Sequence, residues 1–227
     1  MTVFARTAWL VFRKDVTVEV RSRETIATTL FFALSAVLVF AFALVKEGRV
    51  VADAAAGILW IAIAFSATLA LGRTFERERF GDTLRALMLA PADRPAIYLG
   101  KLAGVFALVV AAEIALVPLV AFFFSAALLQ RPLLLACLLL AGTLGFLAVG
   151  TLFAAMLARA RSRDVLLPVL LYPVTIPVII AGVRGTVALA SPVPDEAMAL
   201  FWLMLLLFFD VVFVTLALWT FEPLMTD

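Results

Sequence analysis

Two carboxylates, Glu113 and Asp210, stand inside long apolar stretches and are the residues best placed to do chemistry. An ionised acid at the centre of a bilayer costs about 2.5–3.5 kcal/mol on insertion scales, so both side chains are expected to face protein, a wet cavity or a partner. They could line a substrate or gating surface. They could equally hydrogen-bond to neighbouring helices or bind a second subunit, with Thr143 and Ser125 as possible partners.

The remaining composition excludes most other chemistry. The chain has no histidine and a single cysteine, Cys137, which rules out imidazole-based catalysis, zinc cages and disulfides and predicts no catalytic residue and no metal site. Cys137 lies alone in an apolar run and is expected to be a packed, inert thiol. Gly100 and Lys101 lack the other residues of a phosphate-binding loop, so energy from ATP has to come from another subunit.

The apolar content determines which elements position these residues. Of 227 residues, 66% are hydrophobic and 15% are charged, whereas soluble domains run at roughly 45–50% and about 25%. The chain is therefore predicted to be an all-α polytopic membrane protein with one transmembrane domain over residues 1–227. Its net charge of +2 does not suggest a nucleic-acid partner.

Six runs approach or exceed the roughly 20 apolar residues that cross a hydrocarbon core. Lysine and arginine stay on the cytoplasmic side of short loops, and fourteen of them fall on the side of the two termini against four on the other. Both termini are therefore predicted to be cytoplasmic. The predicted spans are 26–45, 54–71, 102–129, 133–158, 165–183 and 197–219.

The residues before the first span, about 3–21, predict an interfacial amphipathic helix. Trp9, Phe12, Val16 and Val20 recur at spacings of three and four beside a face that includes Arg13. A helix of this kind can act as a simple interfacial anchor, because basic amphipathic helices beside membranes are attracted to the membrane surface.

The longest hydrophilic stretch, residues 75–100, predicts a cytoplasmic coupling helix followed by prolines. Its apolar side chains recur at helical spacing among charges, a pattern that suits docking on a soluble partner; a solvated connector is the alternative. The candidate ATPase-coupling residues are Phe75, Glu76, Glu78, Phe80, Gly81, Asp82, Leu84, Arg85, Leu87, Met88 and Pro91.

Three prolines, Pro168, Pro173 and Pro177, interrupt the fifth span. Each removes a backbone hydrogen bond, so the span is expected to be kinked or unwound and buried against protein. The prolines are hinge candidates, although a static packing irregularity would have the same sequence. The segment from Arg184 to Glu196 is expected to be irregular or re-entrant.

Three stretches resemble one family: GILWIAIAFSATLALGRTFERE over 57–78, TLRALMLAPADRPAIYLGK over 83–101 and LLPVLLYPVTIPVIIAG over 166–182. The chain looks like a member of the haem exporter B family, the B component of the bacterial cytochrome c maturation system. The resemblance covers nearly the whole chain, although the loop between the second and third spans is shared more loosely with other export permeases of the ABC-2 type. One departure is Arg85, where related loops commonly carry glutamate, so an ion pair with the ATPase would need Glu76 or Glu78 instead.

The resemblance implies an ABC-2-like permease fold in the bacterial inner membrane. It implies a homodimer on a cytoplasmic ATP-binding subunit (the A component), with a haem-handling membrane subunit (C), a small single-span subunit (D), a periplasmic haem chaperone (E) and membrane lipid around it. Haem and ATP would be handled by those partners, with no cofactor bound directly. Two other functions remain open: an exporter that moves haem or another amphipathic molecule, and a passive scaffold.

Overall fold

The computed structural model describes residues 3–46, 49–50, 54–80, 93–158, 160, 162–191 and 193–224. Over these residues the regular secondary structure is helical apart from one two-residue ladder, in which Val45 pairs with Val50 and Lys46 with Arg49. The elements are α1 (Val3–Ser22), α2 (Glu24–Ala43), β1 (Val45–Lys46), β2 (Arg49–Val50), α3 (Ala55–Phe80), α4 (Arg94–Phe124), a 3-10 turn (Leu128–Gln130), α5 (Pro132–Met156), α6 (Arg163–Ala190) and α7 (Glu196–Leu224).

Six of the described helices, α2 to α7, are long and apolar enough to cross a membrane, as the sequence predicts. Contacts between helix ends show that consecutive spans run in opposite directions. Tyr98 near the start of α4 packs on Phe221 near the end of α7, and Arg131 pairs with Glu196 at the opposite end. We call the end at which α3 and α7 finish and α4 and α6 begin the basic end.

Helices α3 and α5 form the centre of the bundle. Two thirds of the residues in their spanning windows are buried, against about a fifth in α2 and α7. Trp60 of α3 fills the space where α5 and α6 approach, and its Nε1 donates a 2.9 Å hydrogen bond to Thr186 Oγ1. A Cβ atom at Gly142 or Gly182 would overlap the Trp60 ring, so glycine is required at both contacts.

Replacing Gly182 with alanine should therefore destabilise the bundle by about 1–3 kcal/mol, the usual cost of overpacking a tight core. Gly57 of α3 is the matched control, because a Cβ atom there meets nothing within 4 Å. Thermal unfolding of purified protein in detergent would measure both variants. Equal midpoints for Gly182→Ala and Gly57→Ala would show that the Trp60 contact does not limit stability.

Several helix bounds differ from those predicted from hydropathy. Helix α4 begins at Arg94, eight residues before the predicted third span, and ends at Phe124 before a turn and the 3-10 helix. Pro95 lies in its first turn, where proline is favoured, so it starts this helix. Helix α3 continues to Phe80, so 75–80 extend the second span and do not begin a separate helix.

Three expectations about helix α6 are wrong. It is continuous from Arg163 to Ala190 through all three prolines, and the segment after Arg184 is helical for two more turns where an irregular stretch was expected. Only a third of its spanning window is buried, so the expected burial of this helix is wrong for the single chain. Cys137, expected to be packed, is exposed on α5.

Candidate functional site

The basic end gathers the ionic contacts that connect the helices on either side of the predicted coupling segment. The first is made by Arg163, the first residue of α6, whose side chain is buried. Its guanidinium donates to the backbone carbonyl of Leu71 at 3.0 Å and to that of Gly72. Helix α6 is therefore fixed to α3 about one turn before the coupling segment begins.

The second contact joins α3 to α2. Arg73 forms a 2.9 Å ion pair with Glu24 at the start of α2. Close by, Glu19 near the end of α1 accepts the backbone N–H of Ile26 at 3.0 Å and so caps the first turn of α2. Arg23 between them has φ of 55°, the left-handed conformation that turns the chain sharply from α1 into α2.

The third contact joins α1 to α4 and was missed by sequence reasoning. Lys101 donates to Asp15 at 2.9 Å, and its side chain is only 2% exposed. Gly100 makes this approach possible, because a Cβ atom there would lie 2.7 Å from the Ala8 carbonyl oxygen and from Val11. Helix α1 is thus packed along α4. The sequence does contain a signal for this pair: Asp15 is an acid on the amphipathic helix, and Lys101 is a base near the start of an apolar span.

The predicted coupling residues fall largely beyond the described part of the chain. Phe75, Glu76, Glu78 and Phe80 belong to the last turns of α3, and nothing is described of their side chains. Seven others lie outside the described residues: Gly81, Asp82, Leu84, Arg85, Leu87, Met88 and Pro91. Their role remains a prediction. The described structure does establish that α3 continues directly from Trp60 at the bundle centre into the segment that carries them.

The two intramembrane carboxylates are both buried but have different surroundings. The Thr143 hydroxyl donates to Glu113 Oε1, so Thr143 is one of the two partners considered from the sequence. Ser125, the other, caps the far end of α4 and is exposed. Asp210 has no hydrogen-bond partner for either oxygen among the described residues. A Cβ atom at Gly145 would lie 2.6 Å from its Oδ1.

Glu113 and Asp210 contact helix α5 at different positions in the described part of the chain. Glu113 contacts α5 at Thr143 and Asp210 contacts it at Gly145, and positions two apart on a helix point about 200° from each other. The two acids therefore lie against opposite faces of α5.

Two of the hinge candidates, Pro173 and Pro177, lie on one side of α6, and Pro168 lies on the other. Pro173 and Pro177 are exposed, and Pro168 is half-buried. Pro173 and Pro177 free the carbonyls of Val169 and Pro173, four residues earlier, and Val169 is also exposed. Lipid offers no hydrogen-bond donor to the freed carbonyls. This face of α6 is therefore expected to contact another protein segment or water.

Similarity to known proteins agrees with this architecture. A family model described as CcmB protein matches residues 6–223. Among individual relatives, "Heme exporter protein B" of Rhodobacter capsulatus is 30% identical over 194 residues, covering 82% of this chain and 87% of that protein. The Haemophilus influenzae protein of the same name is 28% identical over 170 residues, covering 75% and 76%. The Escherichia coli K12 protein is 36% identical over 93 residues, so the match spans 42% of its length and 41% of this chain.

Proposed function

Because this chain belongs to the CcmB protein family, we propose that it is the membrane subunit of an ATP-driven ABC complex in cytochrome c maturation. A partner subunit would hydrolyse ATP, and this chain would couple hydrolysis to haem handling and to release of the haem-loaded periplasmic chaperone. The relatives named heme exporter protein B support a role in haem transport. Haem is cargo of the complex in this proposal and is held by the partner subunits.

The observation that carries the proposal is the concentration of contacts just before the coupling segment. Within three residues, Leu71 to Arg73, α3 is bonded to α6 through Arg163 and to α2 through Glu24. A force applied to the segment after Phe80 would act on α3 and pass to both neighbours. At the other end of α3, the Trp60 contacts carry that movement to α5 and α6.

We place the basic end in the cytoplasm, with both termini there, in the bacterial inner membrane. The support is the unequal distribution of lysine and arginine between the two sides of the spans. The ATP-binding subunit would then dock on residues 75–100. The exposed proline face of α6 supports a further protein contact within the membrane, provided by a second copy of this chain or by the haem-handling subunit.

Purification of the tagged protein from its own membranes tests this assignment. A soluble ATPase and a haem-containing membrane protein should co-purify, and ATP hydrolysis should depend on the ATPase alone. Full cytochrome c production with an ATPase-dead partner would contradict the proposal and would favour a passive scaffold.

The Arg163 contact provides a direct test of coupling through α3. Arg163→Gln removes a charge-assisted bond worth about 1.5–3 kcal/mol and should lower cytochrome c yield several-fold per inserted protein. Covalent-haem staining would give the yield, and immunoblotting of membranes would give the protein level. The control is Arg184→Gln, an exposed arginine at the other end of α6. Equal yields for the two variants would count against transmission through Arg163.

A second function, export of haem or another amphipathic molecule through a dimer, is favoured by one observation. Asp210 is 5% exposed and has no partner for its oxygens among the described residues, which suits a group that meets cargo or a second subunit. Purified complex in liposomes distinguishes the functions. An exporter should move haem into the lumen when ATP is supplied, and Asp210→Asn and Glu113→Gln should stop it. Transport retained in both variants would remove these residues from the route.

A further inference from the structure

The arginines and the acids of helix α1 lie on opposite sides of the helix. At about 100° per residue, Arg6, Arg13 and Arg21 fall within about 80° of one another, and Asp15 and Glu19 fall on the side that packs against α4 and α2. All three arginines are exposed. The outer side of α1 therefore carries a row of positive charge about 22 Å long.

These three arginines have no partner within the chain. Among the described residues, no carboxylate lies within ion-pair distance of Arg6, Arg13 or Arg21, and none of their guanidinium groups forms a hydrogen bond. The packed side of α1 differs, because it borders a cavity of about 420 Å³ that is lined by charges of both signs: Lys14, Asp15, Glu19, Arg73 and Lys101. The unmatched charge of α1 is therefore on its outer side.

An apolar strip borders the row of arginines. Trp9 and Val20 are 53% and 59% exposed and lie within about 40° of Arg13 around the helix. The Trp9 ring packs on Phe12, with 5.4 Å between the ring centroids. Tryptophan beside basic residues is typical of the boundary between headgroups and acyl chains, because the indole ring is amphipathic.

We propose that the outer side of α1 binds the phosphate groups of anionic phospholipids, of the phosphatidylglycerol class, in the leaflet at the basic end. Guanidinium groups donate charge-assisted hydrogen bonds to phosphate, and the apolar strip lies beside acyl chains. Asp15 and Glu19 hold α1 against the first turns of α4 and α2, where the surface of a membrane meets the bundle.

Two other occupants match this surface less well. A zwitterionic headgroup brings its own ammonium group and would not neutralise three unpaired arginines. An acidic surface on a soluble partner would neutralise them but would leave Trp9 and Val20 exposed to water. Charge and the apolar strip together therefore favour an anionic lipid.

Native mass spectrometry of the purified full chain tests the proposal, with phosphatidylglycerol and phosphatidylethanolamine as the added probes. Phosphatidylglycerol should be retained at least fivefold over phosphatidylethanolamine, since one arginine near an anionic surface favours binding about fivefold. Arg6→Gln, Arg13→Gln and Arg21→Gln together should reduce this preference at least fivefold. The matched control changes the same three residues to lysine, which keeps the charge and should keep most of the preference.

Tryptophan quenching locates the bound lipid and needs no arginine variant. The protein is reconstituted in vesicles of equal parts phosphatidylglycerol and phosphatidylethanolamine, with brominated acyl chains on one lipid or the other. The emission of Trp9 is obtained as the difference between the unmodified protein and Trp9→Phe. Brominated phosphatidylglycerol should quench it at least twice as strongly as brominated phosphatidylethanolamine.

Equal retention of both lipids, a loss in the lysine variant as large as that in the glutamine variant, or equal quenching of Trp9 by both lipids would each overturn the proposal. So would loss of a co-purifying soluble protein from the glutamine variant with its lipid preference unchanged, because α1 would then dock a protein. The lipid measurements involve no ATP hydrolysis, so the proposed function stands or falls separately.

Discussion

Replacing Leu84 and Leu87 together with aspartate should abolish cytochrome c production while the protein still inserts into the membrane. Both leucines belong to the apolar ridge that the sequence predicts for the coupling segment, and they lie outside the described residues. An amphipathic helix that docks in a groove obtains its affinity from that ridge, and two buried carboxylates would cost several kcal/mol there. The effect should therefore be a complete loss of coupling.

The measurement combines three readings on the same cells: cytochrome c by covalent-haem staining, membrane level of the variant by immunoblotting, and the ATPase recovered with it. The control is Ala86→Asp with Ala90→Asp, which adds the same charges away from the ridge and should retain most of the production. Normal cytochrome c levels with Leu84→Asp and Leu87→Asp would remove the coupling role of this segment.

Lys101→Met should cost about 3 kcal/mol of stability, the lower end of the range for removing one partner of a buried ion pair. The lower end applies because Asp15 is 20% exposed and also lies 3.3 Å from Lys14. Combining the change with Asp15→Asn should recover part of the loss, since it removes the carboxylate that Lys101 no longer neutralises. Denaturation by titrated detergent, followed by tryptophan fluorescence, would measure the free energies of unfolding.

Lys14→Met is the matched control for this experiment. Lys14 pairs with the same carboxylate but is 42% exposed, and exposed pairs are worth only about 0–1 kcal/mol. A loss in Lys14→Met as large as that in Lys101→Met would show that burial of Lys101 does not matter. A loss confined to Lys101→Met would establish that α1 is held to α4 by this pair and is more than an interfacial anchor.

The sequence predicts much of the fold because crossing a membrane is a local property. A helix in lipid forms all of its backbone hydrogen bonds within itself, so the length and hydropathy of each apolar run are enough to predict it. The count of six spans is confirmed. Helix ends are less predictable. The first turns of α4 and the last of α6 lie beyond the apolar runs, where Pro95 in one case and the packing of Gly185 against Leu138 in the other extend the helix.

Some features of the candidate site can likewise be predicted from the sequence, and others cannot. The prediction of the coupling residues and the cost of burying Glu113 and Asp210 both rest on residue type and spacing over a few neighbouring positions. The sequence offers Thr143 and Ser125 as possible partners of Glu113 and does not choose between them, and it does not predict the contacts of Lys101 and Arg163. Such contacts join residues far apart in the chain, and a single sequence contains no record of which helix faces which.

By itself, then, the sequence determined that this protein is a bundle of six membrane helices with one large hydrophilic segment. The reason is that the free energy of transferring a stretch from water to lipid depends on the composition of that stretch. Only the tertiary structure decided that α3 and α5 are central, that Glu113 and Asp210 lie on opposite faces of α5, and that α1 is bound to α4 over a cavity with mixed charge. The physical reason is that helix packing depends on close approach at particular glycines, and the side chain that fills each space comes from another helix.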